Sequence, residues 1–113
     1  MIEKLIQDGD YWYDDNFVHY QTKTDYLHGK LLGFCNCGRP EENLIYIRDM
    51  LDKLNRKEWG NPEDITYMFF CYWAETKELT EHGSCIQYSW LTDEGIELLN
   101  DINWCIDNEI NNE

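Results

Sequence analysis

Both prolines of this chain stand in the same local setting, Arg39-Pro40-Glu41-Glu42 and Asn61-Pro62-Glu63-Asp64, and that repeated setting fixes the middle of the fold. Proline's restricted φ suits the first helical position, where its missing N–H costs nothing, and acids just behind it meet the positive end of the helix dipole. The spacing predicts one helix over 40–57 and a second over 62–76, with Asn61 as the cap of the latter. On the first, Leu44, Ile47, Leu51 and Leu54 form an apolar stripe, while Asp49 with Lys53 and Asp52 with Arg56 are i,i+4 charge pairs. On the second, Ile65, Met68, Phe69, Tyr72 and Trp73 recur at helical spacing, and Phe70 and Cys71 widen the stripe almost all round. A helix of that kind is expected at the centre of a fold.

From Leu79 to Leu91 the hydrophobic period shifts toward two, with Glu81-His82-Gly83-Ser84 as a turn in which Gly83 is free to take a positive φ; this predicts a hairpin over 79–91. Thr92 then caps a last helix over 92–109, with Asp93 and Glu94 in its first turn and Ile96, Leu99, Ile102, Ile106 and Ile110 as its inner stripe. Residues 108–113 read as a frayed tail. Segment 1–33 is the least constrained. Asp8-Gly9-Asp10 is a turn, 11–13 and 17–20 read as two short strands, and Thr24 caps a short helix to Leu32 that Gly33 ends. The expected fold is α+β, a small single domain over 1–113, mainly three helices with one or two short β-hairpins. Leu44, Ile47, Leu51, Ile65, Phe69, Trp73, Leu99, Ile102 and Ile106 are the expected core.

A hydrophobic fraction of 42% with 15% aromatics is too rich for a disordered chain, whatever its charge. No apolar run approaches the ~20 residues that span a bilayer, and Met1-Ile2-Glu3-Lys4-Leu5-Ile6 lacks the apolar core of a signal peptide. A soluble, cytoplasmic protein is expected, and its five cysteines, an odd number, read as reduced thiols.

Charge is where the chain is asymmetric. Of a formal net charge of −14, residues 78–113 carry −9, with nine acids and neither lysine nor arginine. Such a surface repels phosphate and membrane headgroups and attracts basic partners. Glu94, Glu97 and Asp101 lie on the expected solvent side of the last helix with Asp93 beside them, and Glu81 and His82 lie on the hairpin. These six residues are the candidate partner-binding set. The plainer alternative is a solvated face that keeps the protein soluble.

Catalytic signals are thin. His19, His28 and His82 lack i,i+4 partners, no Gly-rich phosphate loop or nucleophile elbow occurs, and the paired acids are adjacent and point apart. No enzyme activity and no cofactor are expected. One metal alternative exists: Cys35 and Cys37 with His82 and Cys85 would complete a Cys₃His tetrahedron. Against it, Cys-x-Cys is not the two-residue knuckle of structural zinc sites, and buried thiols need no ion.

Two resemblances add context. Residues 62–106, with Trp90-Leu91-Thr92-Asp93-Glu94-Gly95 opening the last helix, resemble the second half of winged-helix domains. The helix that would enter a DNA groove carries Glu63, Asp64 and Glu75 and no base, so direct nucleic-acid binding is not expected. Cys35-Asn36-Cys37-Gly38-Arg39-Pro40-Glu41, Leu79-Thr80-Glu81-His82-Gly83-Ser84 and the Trp90-Leu91-Thr92 motif together resemble small phage and prophage proteins of unknown function. That likeness implies a viral protein acting in host cytoplasm. The expectation is a phage-type inhibitor or modulator that binds a basic surface on a host nucleic-acid-handling or defence protein; a small assembly protein and a small zinc or thiol protein are the alternatives.

Overall fold

The two proline segments open helices by different means. In a computed structural model, which describes residues 1–31 and 39–111, helix α2 spans Pro40–Asn55 with the proline at its first position. Leu44, Ile47, Leu51 and Leu54 are buried along it as expected. It closes early because Lys57 takes a positive φ of 60°, while the Lys57 N–H donates to Leu54 O and the Glu58 N–H to Lys53 O. At the second proline, Asn61 shapes a turn rather than a cap: its Oδ1 accepts from the Glu63 N–H at 2.9 Å. Helix α3 therefore begins three residues later than expected, at Ile65–Thr76, with the Asp64 carboxylate capping the Thr66 and Tyr67 N–H groups.

The chain is α+β, and its packing divides into two units, 1–46 with 100–113 and 47–99, to both of which α2 and the last helix contribute. In the first unit, strands β1 (Ile6–Asp8), β2 (Tyr11–Tyr13) and β3 (His19–Tyr20) form an antiparallel meander. Gly9 at φ 67° turns β1 into β2, and the Asp14 carboxylate organises the next turn by accepting from the Asn16 and Val18 N–H groups and the Tyr20 hydroxyl. Helix α1 is Lys23–Lys30. Its cap is Thr22, whose hydroxyl accepts from the Asp25 N–H, and not Thr24, which is buried. The Gly33 stop lies outside the described residues.

Helix α4 spans Asp93–Cys105 and continues as a π-turn, Ile106–Ile110, and the last two residues of the expected tail, 112 and 113, lie outside the described residues. That turn carries Glu109 to the start of α1, where its carboxylate accepts from the Lys23 and Thr24 N–H groups and the Thr24 hydroxyl. The Lys23 ammonium lies 4.2 Å from the Trp12 ring centroid and 4.0 Å from that of Trp104, so one cation joins β2 to α4.

The second unit holds α3, the hairpin and the first turns of α4. The buried face of α3 is Tyr67, Phe70, Cys71, Trp73 and Ala74, whereas Ile65 and Phe69, both expected in the core, are 85% and 52% exposed. A helix apolar almost all round has no unique inner face by period alone. Shape decides: Cys71 and Ala74 are small enough for close approach, and the Tyr67 hydroxyl, on that same face, donates to the Gln87 carbonyl.

Strands β4 (Thr80–Glu81) and β5 (Trp90–Leu91) pair antiparallel, Thr80 opposite Leu91 and Glu81 opposite Trp90, with a short 3₁₀ turn at Ile86–Tyr88 in the connection. Gly83 does not use the positive φ open to it; Glu78, just before the hairpin, takes one, at 61°. Thr92 caps α4 as expected, its hydroxyl accepting from the Gly95 N–H at 3.1 Å. The inner line of α4 is Leu98, Leu99, Ile102, Cys105 and Ile106, and Ile96 is turned outward. Buried Gly95 sets that rotation, because its face of the helix lies against the Leu79 carbonyl.

Candidate functional site

Where α3 ends, the chain turns through the left-handed Glu78 into β4. The Leu79 N–H donates to Ala74 O at 2.9 Å, the closing bond of the helix end. Antiparallel pairing then brings β5 and the first turn of α4 back beside it. Thr92 fastens this junction, its N–H donating to Leu79 O at 3.0 Å and its hydroxyl to Glu78 O at 2.8 Å. Two stretches of the chain, 75–81 and 91–94, thus line one open groove of about 580 Å³.

Five of its lining side chains are carboxylates, Glu75, Glu78, Glu81, Asp93 and Glu94; Thr80, Leu91 and Thr92 complete it, and neither lysine nor arginine is among them. Burial does not dilute this charge, since the five are exposed. Like charges held around one concavity focus a negative potential into it, and a cation entering interacts with several at once.

His82 stands at the rim. Its Nδ1–H donates to the Gly83 carbonyl at 2.7 Å and its Nε2–H to Glu75 Oε1 at 3.1 Å. Both partners can only accept, so the imidazolium form satisfies both. The Gly83 carbonyl first and the Glu75 carboxylate second raise its pKa above the ordinary value of 6.5.

The expected partner-binding residues separate here. Glu81, Asp93 and Glu94 meet in the groove, and His82 reaches it through Glu75. Glu97 is exposed on α4 but does not line the groove. Asp101 is turned to the N-terminus, where Oδ2 lies 3.6 Å from the Met1 amine and accepts from the Ile2 N–H at 3.4 Å. Sequence reasoning missed Glu75 and Glu78. The available signal was the hairpin itself, because an antiparallel pair starting at Leu79 and ending at Leu91 must set the end of α3 beside Thr92 and Asp93.

Of the alternative metal set, Cys35 and Cys37 lie outside the described residues, Cys85 is exposed, and both ring nitrogens of His82 are engaged. No group of three or more His, Cys, Asp or Glu that could hold a metal occurs among the described residues. Cys71 and Cys105 are buried, and desolvation raises both thiols, that of Cys105 to about 12. Both shifts disfavour the thiolate, which is the nucleophilic form.

A second hollow, also of about 580 Å³, lies in the same unit between Asn55, Lys57, Trp59, Tyr88, Trp90 and Leu91. Its wall is aromatic, with the Trp59 and Tyr88 rings edge to face at 5.2 Å and the Trp59 N–H donating to Ser89 O.

Compared with protein-family models, with curated proteins and with solved structures, the chain gives no significant match. No helix among the described residues is long and apolar enough to cross a membrane.

Proposed function

We propose that this protein is a non-enzymatic, phage-type modulator or inhibitor that binds a basic surface on a host nucleic-acid-handling or defence protein. The observation that supports this reading is convergence: five carboxylates from the end of α3, the hairpin and the start of α4 face one groove without a lysine or arginine in its lining. A merely solubilising surface gains nothing from such crowding, since dispersed charge repels itself less. The phage context comes from the resemblance of the three motifs at Cys35–Glu41, Leu79–Ser84 and Trp90–Gly95.

The test is kinetic. With a target identified by affinity capture from host lysate, the triple variant Glu81→Gln/Asp93→Asn/Glu94→Gln should slow association about tenfold or more and flatten its salt dependence. Its melting temperature should stay close to wild type, because exposed substitutions usually change stability by about ±0.5 kcal/mol each. Unchanged association across a salt titration would assign the groove to solubility.

One observation favours a second reading, an assembly protein. Ile65, Phe69 and Tyr72 lie along one exposed face of α3, at 85%, 52% and 56% exposure. A face of that kind suits contact between copies. A defined oligomer in light scattering, dispersed by Ile65→Glu, would support assembly over host binding.

A further inference from the structure

The aromatic hollow is built unlike the acidic groove in the same unit. Five carboxylates line the groove; none lines the hollow, whose one charged lining side chain among the described residues is Lys57. Glu58, the acid between Lys57 and Trp59, is engaged by Arg56, whose guanidinium lies 3.3 Å from its carboxylate and 2.9 Å from that of Asp52. Lys57 itself holds φ 60° at the end of α2, a position where glycine is usual and strain-free, so a cation stands at the hollow where the backbone would favour no side chain. Neither the Lys57 ammonium nor the Asn55 amide has an ion-pair or hydrogen-bond partner among the described residues. Trp59, Tyr88 and Trp90 are between 39% and 50% exposed, so their rings are open to a ligand. They are also held in place, because the Trp59 N–H donates at 2.8 Å to the carbonyl of Ser89, which lies between the other two.

We propose that the hollow is a nucleotide site, in which a base stacks on the exposed rings, its edge meets the Asn55 amide and its phosphate meets Lys57. This goes beyond the partner-binding reading and does not depend on it. An aliphatic ligand would leave the amide and the ammonium unused. A cation, which aromatic rings also attract, would meet Lys57 as a like charge. A flat π system with a polar edge and an anion uses every group present: bases stack on aromatic side chains, an amide offers a donor and an acceptor side by side, and lysine binds phosphate as a point charge. The volume of about 580 Å³ falls within the ordinary range of small-molecule sites. The ligand is a free mononucleotide rather than a strand. Each further phosphate would meet a chain of net charge −14 with no second cation in the lining to offset it.

The experiment titrates adenosine monophosphate, adenosine and penta-deoxyadenylate by calorimetry into the full chain and into three variants. The wild type should bind the monophosphate roughly tenfold more tightly than adenosine. Lys57→Asn, which suits the left-handed backbone and removes the charge, should bring the monophosphate down to the level of adenosine and leave adenosine unchanged. Tyr88→Ala should weaken both about fivefold or more by removing a stacking face. Tyr72→Ala, an equally exposed ring on α3 outside the hollow, should change neither. Absence of binding to wild type, equal binding of the monophosphate to wild type and Lys57→Asn, or equal losses in Tyr72→Ala and Tyr88→Ala overturns the assignment. Tighter binding of penta-deoxyadenylate than of the monophosphate overturns it in favour of a strand. The Lys57→Asn comparison decides even where Tyr88→Ala fails to fold. None of these results bears on the acidic groove, whose own test is association with a basic partner.

Discussion

Gly95 and Leu79 are in backbone contact: a Cβ added to Gly95 would overlap the Leu79 carbonyl oxygen and stand 3.3 Å from the Leu91 Cβ. The same carbonyl accepts the Thr92 N–H at 3.0 Å, so it cannot move aside without losing the bond that docks the cap of α4. This gives the Leu-Thr-x-x-Gly pattern a cause. Threonine caps, and glycine lets the capped turn lie on the chain entering the hairpin.

Gly95→Ala should therefore destabilise the protein although alanine is the better helix former, by about 1–3 kcal/mol as for an overpacked site. Chemical denaturation should show a lower midpoint with an unchanged slope. A midpoint at or above that of wild type would mean that the contact relaxes freely.

The two adjacent phenylalanines of α3 should respond unequally to truncation. Phe70 is fully buried, its ring 5.6 Å from that of Trp73, so Phe70→Ala should cost about 3–5 kcal/mol. Phe69 is 52% exposed, and Phe69→Ala should cost under about 1 kcal/mol. Equal losses in denaturant titrations would contradict the orientation of the helix.

Legibility followed the range of the interactions. Pro40, Thr92 and the stripe of α2 could be read because their reasons lie within a turn of helix. The inner face of α3 could not, since Ile65, Phe69 and Tyr72 match the helical period as well as Tyr67, Phe70 and Ala74 do, and only packing against the hairpin distinguishes them. Strand β1 was silent for a different reason: Ile6, Gln7 and Asp8 are all exposed and carry no alternation to detect. Three of the groove's five carboxylates were visible, Glu81, Asp93 and Glu94. Glu75 and Glu78 depended on where a hairpin closes, and the position of Asp101 depended on a contact with the amine of Met1, 100 positions away.

His82 should make the groove pH-dependent. Its folded pKa lies above the ordinary 6.5, raised by the Gly83 carbonyl and by Glu75, so its contribution to stability is complete below about pH 6.5 and is lost as pH rises through the folded value. Binding should run the other way. Losing that proton removes one positive charge from the rim and leaves the Glu75 carboxylate uncompensated, so a cationic peptide should bind more tightly above the transition than below it, and His82→Gln should remove the trend. An imidazole resonance titrating below 6.5 in NMR would contradict the two hydrogen bonds on which this rests.

Glu78 joins the strain in the fold to the charge in the groove. It holds a left-handed conformation, φ 61°, at the end of α3, where glycine is the usual occupant and where another residue costs roughly 1–2 kcal/mol. Neighbouring Lys77 does not line the groove, and the Glu78 carboxylate does. Glu78→Gly relieves the strain at some cost in chain entropy, so it should raise stability by about 0.5–1 kcal/mol, while taking one of the five carboxylates from the groove should weaken binding of a cationic peptide such as tetra-arginine. Glu78→Gln separates the two effects: the strain remains, the charge goes, and affinity should fall as far as in the glycine variant with stability near wild type. If the glycine variant were more stable and bound as tightly as wild type, Glu78 would be an ordinary helix end and the groove's charge would reside in Glu81, Asp93 and Glu94 alone. If instead it were less stable, the left-handed turn would depend on the glutamate side chain itself.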